Sequence, residues 1–142
     1  MSKTICICLV LVLPFMALNA LAEQESSTAY AKYNYQMFCR GCHTEDGSGN
    51  KSVPTLKNSM GMFLRSQAGR EYLVRVPGSA NSALSDADLT DVLNWMLQEF
   101  SGDSLPSDWQ KYQLSEISEY RQNPLFETVE HRKKLLQSLS AN

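Results

Sequence analysis

The sequence predicts an all-α protein built from short helices. Apolar side chains in residues 86–100 recur at three- and four-residue steps, the period of a helix with one buried face. No segment alternates apolar and polar residues over the length of a strand. The compact part of the chain, near residues 28–101, is short enough to allow only a thin core. A core of that size is often stabilised by a metal, a disulfide or a cofactor.

The first 22 residues have the pattern of a secretory signal peptide. Lys3 gives a positive start, residues 5–18 are apolar and uncharged, and Ala20-Leu21-Ala22 has the small-x-small pattern that a signal peptidase reads. The apolar run is short for a membrane span. We therefore expect cleavage after Ala22, export to the periplasm and no membrane span in the mature chain. An uncleaved N-terminal anchor is the alternative.

The mature chain is expected to be mildly acidic, because residues 1–22 hold one of the 13 basic residues and none of the 15 acidic ones. A nucleic-acid-binding protein would need a clustered basic face, so that function class is not expected. Cys6 and Cys8 leave with the signal peptide. The remaining pair, Cys39 and Cys42, is a single close pair and not the framework of a disulfide-rich scaffold.

The first part of the mature chain is expected to form two short helices with a loop between them. Residues 30–42 are predicted to form a helix that leads into the cysteine pair. Residues 44–54, TEDGSGNKSVP, have the composition of a surface loop with a tight turn at Asp46-Gly47. Residues 69–76 form the second short helix. The aromatic side chains expected in the core are Tyr30, Tyr33, Tyr35, Phe63, Tyr72 and Trp95.

Residues 86–100 are the clearest predicted helix. Ser85 is a natural N-cap, and Asp86 and Asp88 place negative charge in the first turn, where the helix dipole favours it. Gly102, followed by Pro106, is typical of a helix end. The predicted buried face consists of Leu89, Val92, Leu93, Met96, Leu97 and Phe100.

Beyond a main domain of residues 23–101, we expect a helical C-terminal extension, residues 102–142. Residues 106–122 are predicted to be a polar helical stretch, and Pro124 fits the first turn of a last helix that runs to about Leu139. The apolar anchors of the extension are Trp109, Tyr112, Ile117, Leu125, Val129, Leu135, Leu136 and Leu139. Residues 131–134, HRKK, are expected on a solvated helix face.

The spacing Cys39-x-x-Cys42-His43 is typical of covalent haem attachment in an exported protein. Two thiols two residues apart can add to the two vinyl groups of a porphyrin, and the adjacent histidine then reaches the iron. A zinc site would need four ligands, and only His131 or a carboxylate remains to complete it. A redox-active or structural disulfide is the other alternative, although the redox motif belongs to a βαβ unit that is not predicted here.

Three segments resemble the small class I c-type cytochromes. Residues 33–56, YNYQMFCRGCHTEDGSGNKSVPTL, are similar to the opening of that family: an aromatic-rich helix, CxxCH, a glycine-containing loop and P-x-L. Residues 83–100, ALSDADLTDVLNWMLQEF, resemble its final helix, and residues 70–76, REYLVRV, its middle helix. The resemblance covers about residues 28–101. It implies a cytochrome c-like fold, with short helices around one covalently bound haem c.

The resemblance also implies roles for individual residues. Cys39 and Cys42 carry the thioether bonds, and His43 is the proximal ligand of the haem iron. In the family, the carbonyl of a proline after the glycine loop accepts a hydrogen bond from the proximal histidine, and Pro54 stands at the matching place. That second contact fixes the ring and tunes the metal.

The sixth iron ligand departs from the family pattern. The family usually takes a methionine from the loop before the final helix, but residues 76–86, VPGSANSALSD, contain none. Met62 or Met60, between P-x-L and the middle helix, are the candidates for the distal position. Met96 is expected to pack in the core, and His131 is a further candidate. A haem iron with no side-chain ligand on that face is the remaining alternative.

The function implied by the resemblance is electron transfer and not enzymatic catalysis. The expected protein is a periplasmic monohaem cytochrome that passes electrons between partner proteins, such as a periplasmic dehydrogenase and an oxidase. The alternative is a haem protein that binds or senses a small ligand at an open distal site. Axial ligation decides between the two, because it sets the redox potential and the access of small molecules to the iron.

Overall fold

The structure, a computed structural model, describes residues 27–140. Within that range it contains helices and no strand, which confirms the all-α class. The α-helices are α1 (residues 27–38), α2 (Arg40–His43), α3 (Gln67–Arg75), α4 (Pro77–Ala80), α5 (Asp86–Phe100), α6 (Leu114–Tyr120) and α7 (Thr128–Ser140). Met60–Arg65 and Gly102–Ser104 are 3-10 helices. The predicted signal peptide lies outside the described residues. None of the described helices has both the length and the apolar character that a membrane crossing requires.

Helix α5 is the centre of the core and matches its prediction at both ends. All six residues of its predicted apolar face are buried. The Ser85 side chain accepts a hydrogen bond from the backbone N–H of Asp88 (3.1 Å), as an N-cap does. After the last turn, Gly102 has a φ of +48°, a conformation that favours glycine. Helical period and capping together explain why this element was predictable.

Helix α1 packs against α5 through aromatic rings. The ring of Tyr35 lies 5.3 Å from that of Trp95 and 5.0 Å from that of Phe100. The prediction that Tyr30 and Tyr33 are core residues is wrong, since they are 53% and 52% exposed. The buried face of α1 is instead formed by Ala31, Asn34 and Tyr35, and the helical period turns the other two tyrosines away from it.

The middle of the chain contains two short elements that the sequence did not indicate, the 3-10 helix Met60–Arg65 and α4. The first packs closely on α3, where Phe63 stacks on Tyr72 with 5.0 Å between ring centroids. Tyr72 is buried, as predicted, and so is Leu73. Pro77 starts α4 in the first-turn position that tolerates a missing N–H.

The C-terminal residues fold back onto these helices, but with less helix than predicted. Residues 106–113 are not helical, so that part of the prediction is wrong. The side-chain amide of Asn94 explains the difference, because it donates to the carbonyl of Tyr112 (3.0 Å) and accepts from its N–H (2.8 Å). These two hydrogen bonds give Tyr112 backbone partners outside a helix. Tyr112 and Ile117 are buried, as predicted.

Helix α7 begins at Thr128, so the placement of Pro124 in its first turn is wrong. The backbone around Pro124 bonds to α3 instead. Leu125 N–H donates to the carbonyl of Arg75 (2.8 Å), and the Arg75 guanidinium donates to the carbonyl of Asn123 (2.8 Å). Long-range hydrogen bonds therefore override the local signal for a helix start.

Arg121, just after α6, ties the C-terminal residues to the segment between α4 and α5. Its guanidinium donates to the carbonyls of Ser82 and Leu84 (3.0 Å each) and to the Asp86 carboxylate (2.7 Å). The Asp86 side chain also accepts from the Ser118 hydroxyl (2.6 Å), and these contacts lower its pKa. Arg121 therefore holds the segment between α4 and α5, part of residues 76–86, which contain no methionine.

We expect Arg121→Ala to reduce the free energy of unfolding by roughly 2–3 kcal/mol, because it removes hydrogen bonds from a charged donor and leaves carbonyls without partners. Chemical denaturation of both proteins measures the change. Arg65→Ala is the matched control, since Arg65 is exposed and has no ion pair within residues 27–140. Equal losses of unfolding free energy in the two variants would show that Arg121 does not hold the C-terminal residues against this segment.

Candidate functional site

The Cys39-x-x-Cys42-His43 motif forms one helical turn at the end of α1. Cys39 N–H donates to the carbonyl of Tyr35 (2.9 Å), and His43 N–H donates to the carbonyl of Cys39 (3.0 Å). The Tyr35 hydroxyl donates to the carbonyl of Thr44 (2.6 Å) from a buried position between α1 and α5. Tyr35 thus links the motif to α5, because its ring packs on Trp95 and Phe100 while its backbone and hydroxyl bond to residues 39 and 44.

The loop that follows the motif, residues 44–55, folds back onto it. Gly49 N–H donates to the carbonyl of His43 (3.0 Å), and the Asn50 side chain donates to the carbonyl of Cys42 (3.2 Å). Asp46 accepts hydrogen bonds from Ser48, Lys57 and Thr44, which lower its pKa well below the usual range. The predicted surface loop is confirmed, including the turn at Asp46 and Gly47, where Gly47 has a φ of +75°.

Gly49 lies where this loop turns back toward His43. Its φ is +70°, and a Cβ there would contact the carbonyl oxygens of Val53 and Pro54. We expect Gly49→Ala to cost about 1–3 kcal/mol of folding free energy, the range for a strained left-handed residue. Thermal or urea unfolding tests this. The control is Gly78→Ala, which places a Cβ in open space, and a loss no larger than the control's would contradict the role of Gly49.

His43 lines a cleft of about 310 Å³, which is at the lower end of the usual range for small-molecule sites, roughly 300–1,000 Å³. The walls come from the loop after the motif, the 3-10 helix Met60–Arg65, α3, α5 and α7. Most of the lining side chains are apolar or aromatic, among them Val53, Pro54, Leu56, Met60, Phe63, Tyr72, Leu73, Val76, Leu93 and Met96. The cleft therefore suits an apolar group with a few polar points.

The electrostatics of His43 favour its neutral form. Burial lowers the pKa of its imidazole, and the backbone carbonyl of Pro54 raises it in part. Nδ1 is buried, and no hydrogen bond of normal geometry reaches it from the described residues. Neutral imidazole is the form that binds a metal. The backbone carbonyl of Pro54 is close enough to the ring to influence its pKa.

The two cysteines are free thiols. Burial, together with the smaller effect of the neighbouring Cys42, raises the pKa of the Cys39 thiol to about 11. Redox-active cysteines have lowered pKa values instead. Cys39 packs against the hydrophobic core and Cys42 is exposed. The environment of this pair therefore differs from that of a thioredoxin-like site.

The structure separates the two methionine candidates. Met60 is 3% exposed and lines the cleft with His43. Met62 is half-buried, packs against the hydrophobic core and is not among the described residues that line the cleft. Met96 is buried on α5, as predicted, and one side of it reaches the cleft. A 3-10 helix explains the difference between Met60 and Met62, because residues three apart share a face, and Phe63 is the partner of Met60.

Helix α7 forms a wall of the cleft that sequence reasoning missed. Thr128, Val129 and Arg132 line the cleft, and Val129 is 82% exposed at its rim. His131 stacks on Tyr72, with 5.8 Å between ring centroids and 6° between the ring planes. The expectation of a fully solvated HRKK face is therefore wrong for His131 and Arg132, which are half-buried. The apolar spacing of α7 gave no sign of this, because the contacts join residues far apart in the chain.

These residues fit a covalently held haem in three ways. Cys39 and Cys42 are free thiols on the turn that ends in His43, and His43 lines the cleft. Among the described residues no hydrogen bond of normal geometry reaches its buried Nδ1, and the remaining lining of the cleft is mostly apolar. For the zinc alternative, no group of three or more His, Cys, Asp or Glu side chains is brought together within residues 27–140, whereas zinc is normally held by four.

Comparison of the chain with protein-family models, with curated proteins and with solved structures finds no match. The site is therefore interpreted from its own chemistry and from the residues that resemble the cytochrome pattern.

Proposed function

We propose that this chain is an exported monohaem c-type cytochrome that carries electrons. The observation that supports the proposal most directly is that the CxxCH histidine lines an apolar cleft, with Met60 also in its lining. The bound haem would supply one-electron chemistry, its iron alternating between the ferrous and ferric states. The protein's contribution is to bind the group, set its axial ligands and limit the access of water.

Cys39 and Cys42 are the proposed attachment points. Each thiol adds across one vinyl double bond: the sulfur forms a C–S bond to one vinyl carbon, and the thiol proton is transferred to the other. The addition needs no external oxidant or reductant. Because the two thiols stand on one helical turn that is continuous with His43, these three residues would hold the group together.

His43 is the proposed proximal ligand and Pro54 its orienting partner. A histidine ligand normally donates its second ring N–H to an oxygen acceptor, which fixes the tautomer and raises the basicity of the ligand. The Pro54 carbonyl is the backbone group that influences the pKa of His43. The loop contacts of Gly49 and Asn50 hold this segment against the motif.

Met60 is the proposed distal ligand. It is the candidate methionine that lines the cleft, and a thioether opposite histidine raises the redox potential of a haem and suits an electron carrier. The C-terminal residues support this assignment indirectly, because Arg121 holds the segment in which the family usually carries its ligand. The distal position is then filled from the 3-10 helix Met60–Arg65.

Absorption spectra of the purified ferric and ferrous protein, with and without carbon monoxide, test the proposal. We expect reversible one-electron reduction, the long-wavelength charge-transfer band of methionine-ligated ferric haem, and no carbon monoxide binding. Ready binding of carbon monoxide by the reduced protein would instead favour the ligand-binding alternative, in which the distal face is open. The same proposal includes a periplasmic location and redox partners such as a periplasmic dehydrogenase and an oxidase.

A further inference from the structure

The charge in the cleft is concentrated on one side chain. Among the described residues that line it, none is acidic, and Arg132 is the one that carries a permanent charge. His43 is the other titratable base there, and burial lowers its pKa. An apolar cleft with a single cation at one point is complementary to an apolar molecule that carries an anionic substituent.

Arg132 is held over an aromatic ring and has no acidic partner within residues 27–140. Its guanidinium lies 5.6 Å from the centroid of the Phe63 ring. Burial raises the pKa of the neighbouring Tyr72, and the charge of Arg132 partly opposes that rise. Three other arginines of the described chain, Arg70, Arg75 and Arg121, form ion pairs, whereas Arg132 forms none within residues 27–140. The Phe63 ring positions the planar guanidinium of Arg132 and leaves its N–H donors available.

We propose that Arg132 binds a haem propionate, which would make helix α7 part of the cofactor site. This inference rests on the proposed function, because it takes haem as the molecule in the cleft. Haem is apolar over its ring and carries its carboxylates on one edge, and an arginine binds a carboxylate through two parallel hydrogen bonds. The C-terminal residues would thus contribute a binding side chain as well as a packing surface.

The reduction potential of the holoprotein tests the proposal. A cation beside the haem stabilises the reduced form, which carries one more negative charge, so its removal lowers the potential. For Arg132→Gln we expect the equilibrium constant for reduction to fall by about threefold or more, as one unit charge acting through an effective dielectric near 20 would allow. Arg132→Lys keeps the charge and should retain most of the wild-type potential.

Lys133→Gln is the matched control, because it removes the same charge from an exposed position on the same helix. Equal potentials for Arg132→Gln, Lys133→Gln and the wild type would overturn the assignment of Arg132. The same drop in Arg132→Lys as in Arg132→Gln would also overturn it, since the charge would then be irrelevant. If the wild type carries no covalent haem, the proposed function fails with it, and haem content distinguishes that outcome from a failure of Arg132 alone.

Discussion

The Cys39→Ala/Cys42→Ala double variant is expected to lose all covalently bound haem. In the proposed attachment each cysteine provides one of the two C–S bonds, so the single variants should retain haem through one bond, with an altered spectrum of the denatured pyridine complex. The double variant should release all haem into acidified organic solvent. Haem staining after denaturing electrophoresis measures the loss.

Gly41→Ala is the control within the same turn. A Cβ at Gly41 meets no atom within 4 Å, and alanine is the better helix former. This variant should keep its haem in full. Covalent haem that survives in the double cysteine variant would contradict the attachment chemistry.

Met60→Leu is expected to open the distal face of the haem. Leucine fills a similar volume, so the cost in folding free energy should stay below about 1.5 kcal/mol, while the sulfur is lost. The ferric protein should lose the charge-transfer band of methionine ligation, and the reduced protein should gain carbon monoxide binding. Absorption spectroscopy measures both changes.

Met62→Leu and Met96→Leu are the matched controls. Met62 lies outside the cleft lining. Met96 reaches the cleft with one side but belongs to the buried face of α5 and is not the proposed ligand, so both variants should keep the methionine band of the wild type. A spectrum that changes in either control and not in Met60→Leu would assign the distal ligand to that residue and refute the choice of Met60.

The parts of the fold that were predictable depend on local signals. Helix α5 combines a helical period with an N-cap at Ser85 and a glycine after its end, and these features act within a few residues of one another. The loop at Asp46-Gly47 is similarly local. Tyr30 and Tyr33 show that residue type alone does not predict burial. An aromatic residue on a short helix does not indicate which face of the helix is covered.

The parts that were not predictable depend on contacts between distant residues. Arg75 binds the backbone around Pro124, and Asn94 binds that of Tyr112, so two helix predictions fail at these points. The α7 wall of the cleft likewise depends on Tyr72 meeting His131. Such pairings follow from the global arrangement of the helices, which no local pattern encodes.

The candidate site divides in the same way. The motif and its histidine are close in sequence and were recognised from their spacing, whereas the role of Pro54 was implied by the resemblance to the cytochrome pattern. The choice between Met60 and Met62 needed the 3-10 conformation, because the face that a residue occupies depends on the number of residues per turn. The sequence did not indicate that Arg132 lines the cleft, because this residue lies in a run of basic residues.

The intact mass of the mature protein under denaturing conditions tests the central claim most directly, provided that the full chain is produced in an exporting host with haem-attachment machinery. The account predicts a mass increased by one haem per chain and no reaction of Cys39 or Cys42 with a thiol reagent. A mass without haem would contradict it. The two cysteines would then be found as reactive thiols, as a disulfide, or as ligands of a zinc ion that is released on denaturation.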